Sequence, residues 1–136
     1  TTPDQPETDG SQDAFANQVV KLVNEERAKA GLSPLSVNSK AANAAQTRAR
    51  EIEKSFSHTR PDGSSFNTAL TEAGVSFRGA GENIAYGQTT PQQVMEGWMN
   101  SSGHRANILN ANYTSIGVGH YKNGAGVDYW TQLFIQ

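Results

Sequence analysis

The sequence predicts an α+β fold, with helices leading and a β-hairpin closing the chain. Three observations predict it. Apolar residues recur at three- and four-residue steps from Phe15 to Phe56, they do so again from Val94 to Met99, and two runs rich in β-branched and aromatic residues flank a glycine-containing loop near the end.

Taken in order, Asp13 is suited to cap a first helix in which Phe15, Val19, Leu22, Val23 and Arg27 share a stripe, until Gly31 supplies the stop. Pro34 and Leu35 form a connector. Asn38 or Ser39 then caps a second helix with Ala42, Ala45, Ala49, Ile52 and Phe56 on one face, small enough to let the helix approach its neighbours closely. Phe66, Leu70 and Ala73, followed by Gly74, mark a short third helix, and Pro91 starts a fourth that carries Val94, Met95, Trp98 and Met99. Ser115 to Tyr121 and Val127 to Ile135 form the hairpin around the loop from Lys122 to Gly126. Trp98, Trp130, Tyr113, Tyr129 and Phe134 are its candidate core and cleft-wall aromatics.

Residues 1–12, TTPDQPETDGSQ, hold no aliphatic or aromatic side chain to bury, so they read as a flexible linker or leader before a single domain at 13–136. A chain of 136 residues buries roughly 68% of its unfolded surface in one core. The formal charge of −2 is uneven: Asp4, Glu7, Asp9 and Asp13 lie in the first thirteen residues, which leaves 9 of the 13 acidic residues against all 11 basic ones in the rest. Neither part approaches the basic stripe needed to bind nucleic acid. No apolar run of about 18 residues exists to span a bilayer, and no apolar signal segment is present, so any export signal is expected to lie outside this sequence. With no cysteine, disulfide scaffolds, Cys-zinc sites and thiol catalysis are excluded.

The chain has three histidines. His58 lies in FSHTRPDGSSF, a loop punctuated by Pro61, Asp62 and Gly63, and His104 follows a Ser-Ser-Gly break in WMNSSGHRANIL. Either one alone reads as an exposed turn residue, and His120, in the hairpin, as a sheet-face residue. Glu82 enters an apolar segment in GAGENIAYG, where a carboxylate must be paired if buried. It is either a structural tie or a functional group. Two imidazoles and a carboxylate suit zinc or another divalent cation, although positions 58 and 104 are too far apart in sequence to form a local metal motif. Ser101 and Ser102 precede His104 without a nucleophile elbow around them, so Ser102 reads as a turn or cap and no nucleophile is identifiable.

The phrases FSHTRPDG, AGENIAYG, GWMNSSGHRANILN, SIGVGHY and YWTQLFI, with VNEERAKAGLSPL before them, closely resemble the CAP superfamily. This is the cysteine-rich secretory protein, antigen 5 and pathogenesis-related 1 group, or SCP domain, here in the bacterial branch found in spore-forming Gram-positive organisms. The match runs from about Phe15 to Gln136. The resemblance implies a three-layer α-β-α sandwich with a small, mainly antiparallel sheet flanked by about four helices. It also implies a cleft holding His58 and His104 as metal ligands and Glu82 as the acidic, potentially catalytic residue, with Asn83, Ser101 and Trp98 as neighbours. Eukaryotic members carry a second Glu three residues after the helix-four Trp, where this chain has Ser101. Glu96 does not replace it, since the helical period turns it about 140° away.

The resemblance supports three readings: a secreted or cell-wall-associated monomer binding an extracellular lipid or sterol, peptide or cell-wall component; a zinc-dependent hydrolase of peptide or cell-wall material; or a structural cell-surface or spore-associated protein. Fold likeness does not choose among them. The absence of a nucleophile and of the second acid favours the binding module.

Overall fold

The computed structural model describes residues 14–136; the leader assigned to 1–12 and the Asp13 cap lie outside the described residues. The elements are α1 (Ala14–Lys29), β1 (Ser36–Val37), α2 (Ser39–Lys54), α3 (Thr68–Glu72), β2 (Ala80–Tyr86), α4 (Pro91–Met99), α5 (Ser102–Ile108), β3 (Ser115–Lys122) and β4 (Asp128–Ile135). The expected hairpin is β3–β4, paired antiparallel from Ser115↔Ile135 to Lys122↔Asp128. β2 adds antiparallel to the far side of β4, and the two-residue β1 adds parallel to β3, giving the order β1-β3-β4-β2. β2 is therefore an edge strand.

Strand alternation sorts the core into two layers. Ile116, Val118, Trp130 and Phe134 face α1, α4 and α5, where they join Val19, Val23, Val94, Met95 and Trp98. Leu133 and Ile135 face the other way, toward Ala41, Ala44 and Ala45 of α2 and Leu70 of α3. The result is the three-layer α-β-α sandwich. The alanines seat α2 against the backbone of β3: a Cβ on Gly117 would stand 2.3 Å from the Ala41 carbonyl carbon, and one on Gly119 would stand 2.4 Å from that of Ala45. Glycine at both positions is what permits this approach.

Local chemistry explains most boundaries. Asn38 is the α2 cap, its side chain accepting from the Ala41 amide, and Thr90 caps α4 by accepting from Gln93, with Pro91 in the first turn. Gly31 closes α1 at φ 77°, a conformation costly for other residues. Arg27, on the apolar stripe of α1, is 1% exposed and donates to the carbonyls of Ser33, Ile108 and Asn110. It thus places a cation at the carbonyl end of α5, a favourable position for positive charge; burial lowers its pKa.

Three expectations change. α2 ends at Lys54 because Ser55 turns extended, so Phe56 leaves the helical stripe and is 51% exposed. The glycine-flanked segment around Glu82 is strand β2, and His104 sits on a fifth helix, α5, rather than in a turn. Tyr113 and Tyr129 are half-buried rather than core, Tyr113 stacking on Phe134 at 5.5 Å.

Candidate functional site

Glu82 and Asn83 are consecutive on the edge strand, so their side chains leave opposite faces of the sheet. Glu82 points to the α2 layer. Its carboxylate is fully buried and accepts two hydrogen bonds from Arg48 of α2, from Nε at 2.7 Å and from Nη2 at 3.0 Å. Oε1 also accepts from Nδ1 of His58 at 2.8 Å. Because the carboxylate only accepts, the His58 proton lies on Nδ1, and Nε2 keeps its lone pair in the neutral ring. His58 stands in the loop after α2 with its side chain 58% exposed.

Behind Glu82 the ion pairs continue. Arg48 donates to Glu51 at 3.0 Å and to the Ser57 carbonyl at 2.6 Å, while Arg60 donates to Glu51 at 2.7 Å and to Glu72 at 3.0 Å. Burial opposes charge on Arg48 and Glu51, but their mutual hydrogen bonds and those from Glu82 and Arg60 outweigh it, so the Arg48 pKa rises and the Glu51 pKa falls. The Arg60 pKa rises as well, chiefly through its hydrogen bonds to Glu51. The network fixes the loop that carries His58.

Asn83 points to the other layer, where the chemistry is neutral. Its amide donates to the His104 carbonyl at 3.1 Å and to Gln132 at 2.9 Å, and its oxygen accepts from Asn107 at 2.9 Å. These bonds hold α5 to the sheet. Ser101 is the N-cap residue of α5 yet makes no capping bond; its hydroxyl is engaged with Nδ1 of His104 at 2.9 Å. Partial burial, and secondarily the nearby His58, lower the His104 pKa. The two imidazoles therefore lie within electrostatic reach of each other across the β2 edge.

The predicted residues thus assemble as two contacts, His58 with Glu82 and His104 with Ser101. Trp98 is 2% exposed and donates from Nε1 to the Ile84 carbonyl at 3.3 Å, so it anchors α4 to β2. Glu96 lines a groove with Leu22 and Glu26 of α1, away from the position of Ser101. His120 is buried on the α1 face with Nε2 2.6 Å from Asp128. Among the described residues, no three His, Asp or Glu side chains are gathered to hold a metal ion together. Arg48, Asn107 and Gln132 were not anticipated. Arg48 had a signal: it is a charged residue on the alanine stripe of α2, where only a buried partner makes it tolerable.

Comparison with known proteins gives a consistent picture. The sequence profile of the Cysteine-rich secretory protein family, CAP, matches residues 20–134. The protein YkwD of Bacillus subtilis is 43% identical over 124 residues, which cover 90% of this chain and 47% of YkwD. The membrane protein YlbC of the same organism is 37% identical over 121 residues, covering 88% of this chain and 34% of YlbC, so the chain spans less than half of either relative. Among solved structures, an extracellular protein containing a SCP domain from Bacillus anthracis superposes with a TM-score of 0.84 at 32% identity, over 90% of this chain and 40% of that one. No helix of the described residues is long and apolar enough to cross a membrane.

Proposed function

The chain belongs to the cysteine-rich secretory protein family, CAP, and we propose that it works outside the cell as a binding module whose cleft takes a divalent cation between the Nε2 atoms of His58 and His104. One observation carries the reading. Each imidazole commits Nδ1 to a neighbour, Glu82 or Ser101, which orients the ring and directs the other nitrogen outward. The bond to Glu82 also raises the basicity of His58 as a ligand.

The donor set suits zinc, which accepts imidazole nitrogen, and bound zinc supplies Lewis acidity. Hydrolysis would also call on Glu82 as a base, and both of its oxygens are already committed to Arg48 and His58. Binding without turnover is therefore the reading this arrangement favours. A site of two imidazoles is expected to hold zinc with a Kd of about micromolar or weaker, below a four-ligand structural site.

Zinc titration calorimetry tests the proposal. The parent is expected to bind one equivalent and to gain thermal stability, and His58→Ala and His104→Ala each to lose most of both. Glu82→Gln is expected to weaken binding less than either, since its role is to orient the ring. Equal zinc binding by the parent and both histidine variants would overturn the site. Turnover of peptide, ester or peptidoglycan substrates by the zinc-loaded protein, lost in Glu82→Gln, would overturn the binding-module reading in favour of a hydrolase.

A further inference from the structure

The α2 face of the sheet carries a row of aromatic rings that the imidazole cleft does not use. Tyr86, Tyr129 and Tyr121 are opposed in register on β2, β4 and β3, so they leave the same face side by side. Their centroids are 5.8 Å and 6.3 Å apart. Phe56, released by the early end of α2, meets Tyr86 edge to face at 4.9 Å, and at the other end of the row the Arg50 guanidinium lies 5.4 Å from the Tyr121 centroid. Phe56 and Tyr86 are 51% and 53% exposed. Scattered exposed aromatics need no explanation, but adjoining ones on an ordered row are a feature of binding surfaces.

Arg50 also joins this row to a groove of about 550 Å³ along the outer side of α2, lined in part by Asn43, Thr47 and Lys54. Two carboxylates border the groove, and both are engaged: Glu51 by Arg48 and Arg60, and Asp62 by the amide and hydroxyl of Ser64. Among the described residues no carboxylate pairs with Arg50 or Lys54, so the uncompensated charge of the groove is positive. The surface therefore combines ring faces, amide and hydroxyl groups, and cations without counter-charges.

We propose that the row and the groove together bind one stretch of an acidic polysaccharide. A sugar ring presents an apolar face of C–H groups that suits the negative face of an aromatic ring, while its hydroxyls suit Asn43 and Thr47. Carboxylates on the sugar would pair with Arg50 and Lys54 by charge-assisted hydrogen bonds. A nucleic acid is a poorer fit, because two cations on a chain of net charge −2 do not make a phosphate stripe. The site includes neither His58 nor His104, so it stands or falls separately from the cation cleft.

The probe is polygalacturonate, read by affinity electrophoresis and calorimetry, beside its fully methyl-esterified form and poly-L-glutamate. The first control keeps the sugar and removes the charge; the second keeps the charge and removes the sugar. Each is expected to bind about tenfold more weakly than polygalacturonate, the factor that the loss of one good contact of roughly 1.4 kcal/mol gives. Arg50→Gln and Lys54→Gln should each weaken binding about tenfold, and Phe56→Ala and Tyr86→Ala about fivefold. His58→Ala should bind as the parent does. All four surface substitutions lie at exposed positions, and an unchanged Tm verifies that each variant is folded. Absence of binding to polygalacturonate, equal binding of polyglutamate, or full affinity in both aromatic variants would overturn the proposal.

Discussion

Glu82 and Asn83 hold one histidine each, from adjacent positions on one strand, by opposite means. On the α2 side a buried carboxylate and guanidinium hold His58 through charge; on the α5 side a chain of neutral amides holds the backbone of His104. The difference lies in what happens when one member is removed. A buried charge that loses its partner keeps the full cost of having left water, whereas a buried amide that loses one bond still has others. The ionic half of the site should be brittle and the amide half graded.

The largest expected effect follows from Arg48. Arg48→Ala strands Glu82 as a buried, unbalanced carboxylate and should cost about 3–5 kcal/mol in urea denaturation. Replacing both partners, Arg48→Met with Glu82→Leu, should recover most of that loss because apolar substitution of a whole ion pair is often neutral. If the single variant loses less than about 1 kcal/mol, the pair behaves like a surface salt bridge and the contrast between the two halves fails.

Asn83→Ala should cost less, about 1–3 kcal/mol, for the bonds to Gln132 and Asn107 left unmade. It should also loosen α5, so the sharper readout is a larger loss of zinc affinity than of stability. The reverse pattern, lost stability with unchanged affinity, would mean that the amide chain supports the core and not His104.

The smallest effect is on pH dependence, and it separates the halves without mutation at the histidines. The pKa of Glu51 is held below 4.5, so its pairing contributes stability in full above that value and loses it as pH falls through the lowered pKa. That of His104 is held below 6.5, so the folded state resists the proton and stability declines as pH falls below 6.5. Denaturation midpoints from pH 7 to 3 should therefore fall in two stages for the parent. Asn83→Ala should keep the carboxylate stage, and Glu51→Gln should flatten it.

What could be read from the sequence follows where periodicity is undisturbed. The stripes of α1, α2 and α4 and the β3–β4 hairpin stood out because apolar side chains keep one spacing along each. β2 was hidden because Glu82 and Asn83 occupy the positions where a buried strand normally shows apolar residues, and Gly79, Gly81 and Gly87 look like loop punctuation. α5 was hidden because its seven residues bury only Ile108. His58, Glu82 and His104 were placed by the family phrases, since nothing local links them; Arg48 was missed because residue-by-residue reading treats a charge on a helix as solvated. The early end of α2, which exposes Phe56, depends on the extended backbone of Ser55 and has no distinctive side chain to announce it.

β4 lies inside the sheet although it comes last in the chain, and β2 has no strand neighbour but β4. During synthesis, then, the residues that carry Glu82 and Asn83 emerge long before the strand that gives them a ladder, and β3 likewise waits for its antiparallel partner. Most of this sheet's closure joins segments remote in sequence, which makes assembly slow relative to a helical bundle of the same length. The two histidines reach their working separation only in the final step, so a nascent or truncated chain without residues 128–135 has helices but no cleft.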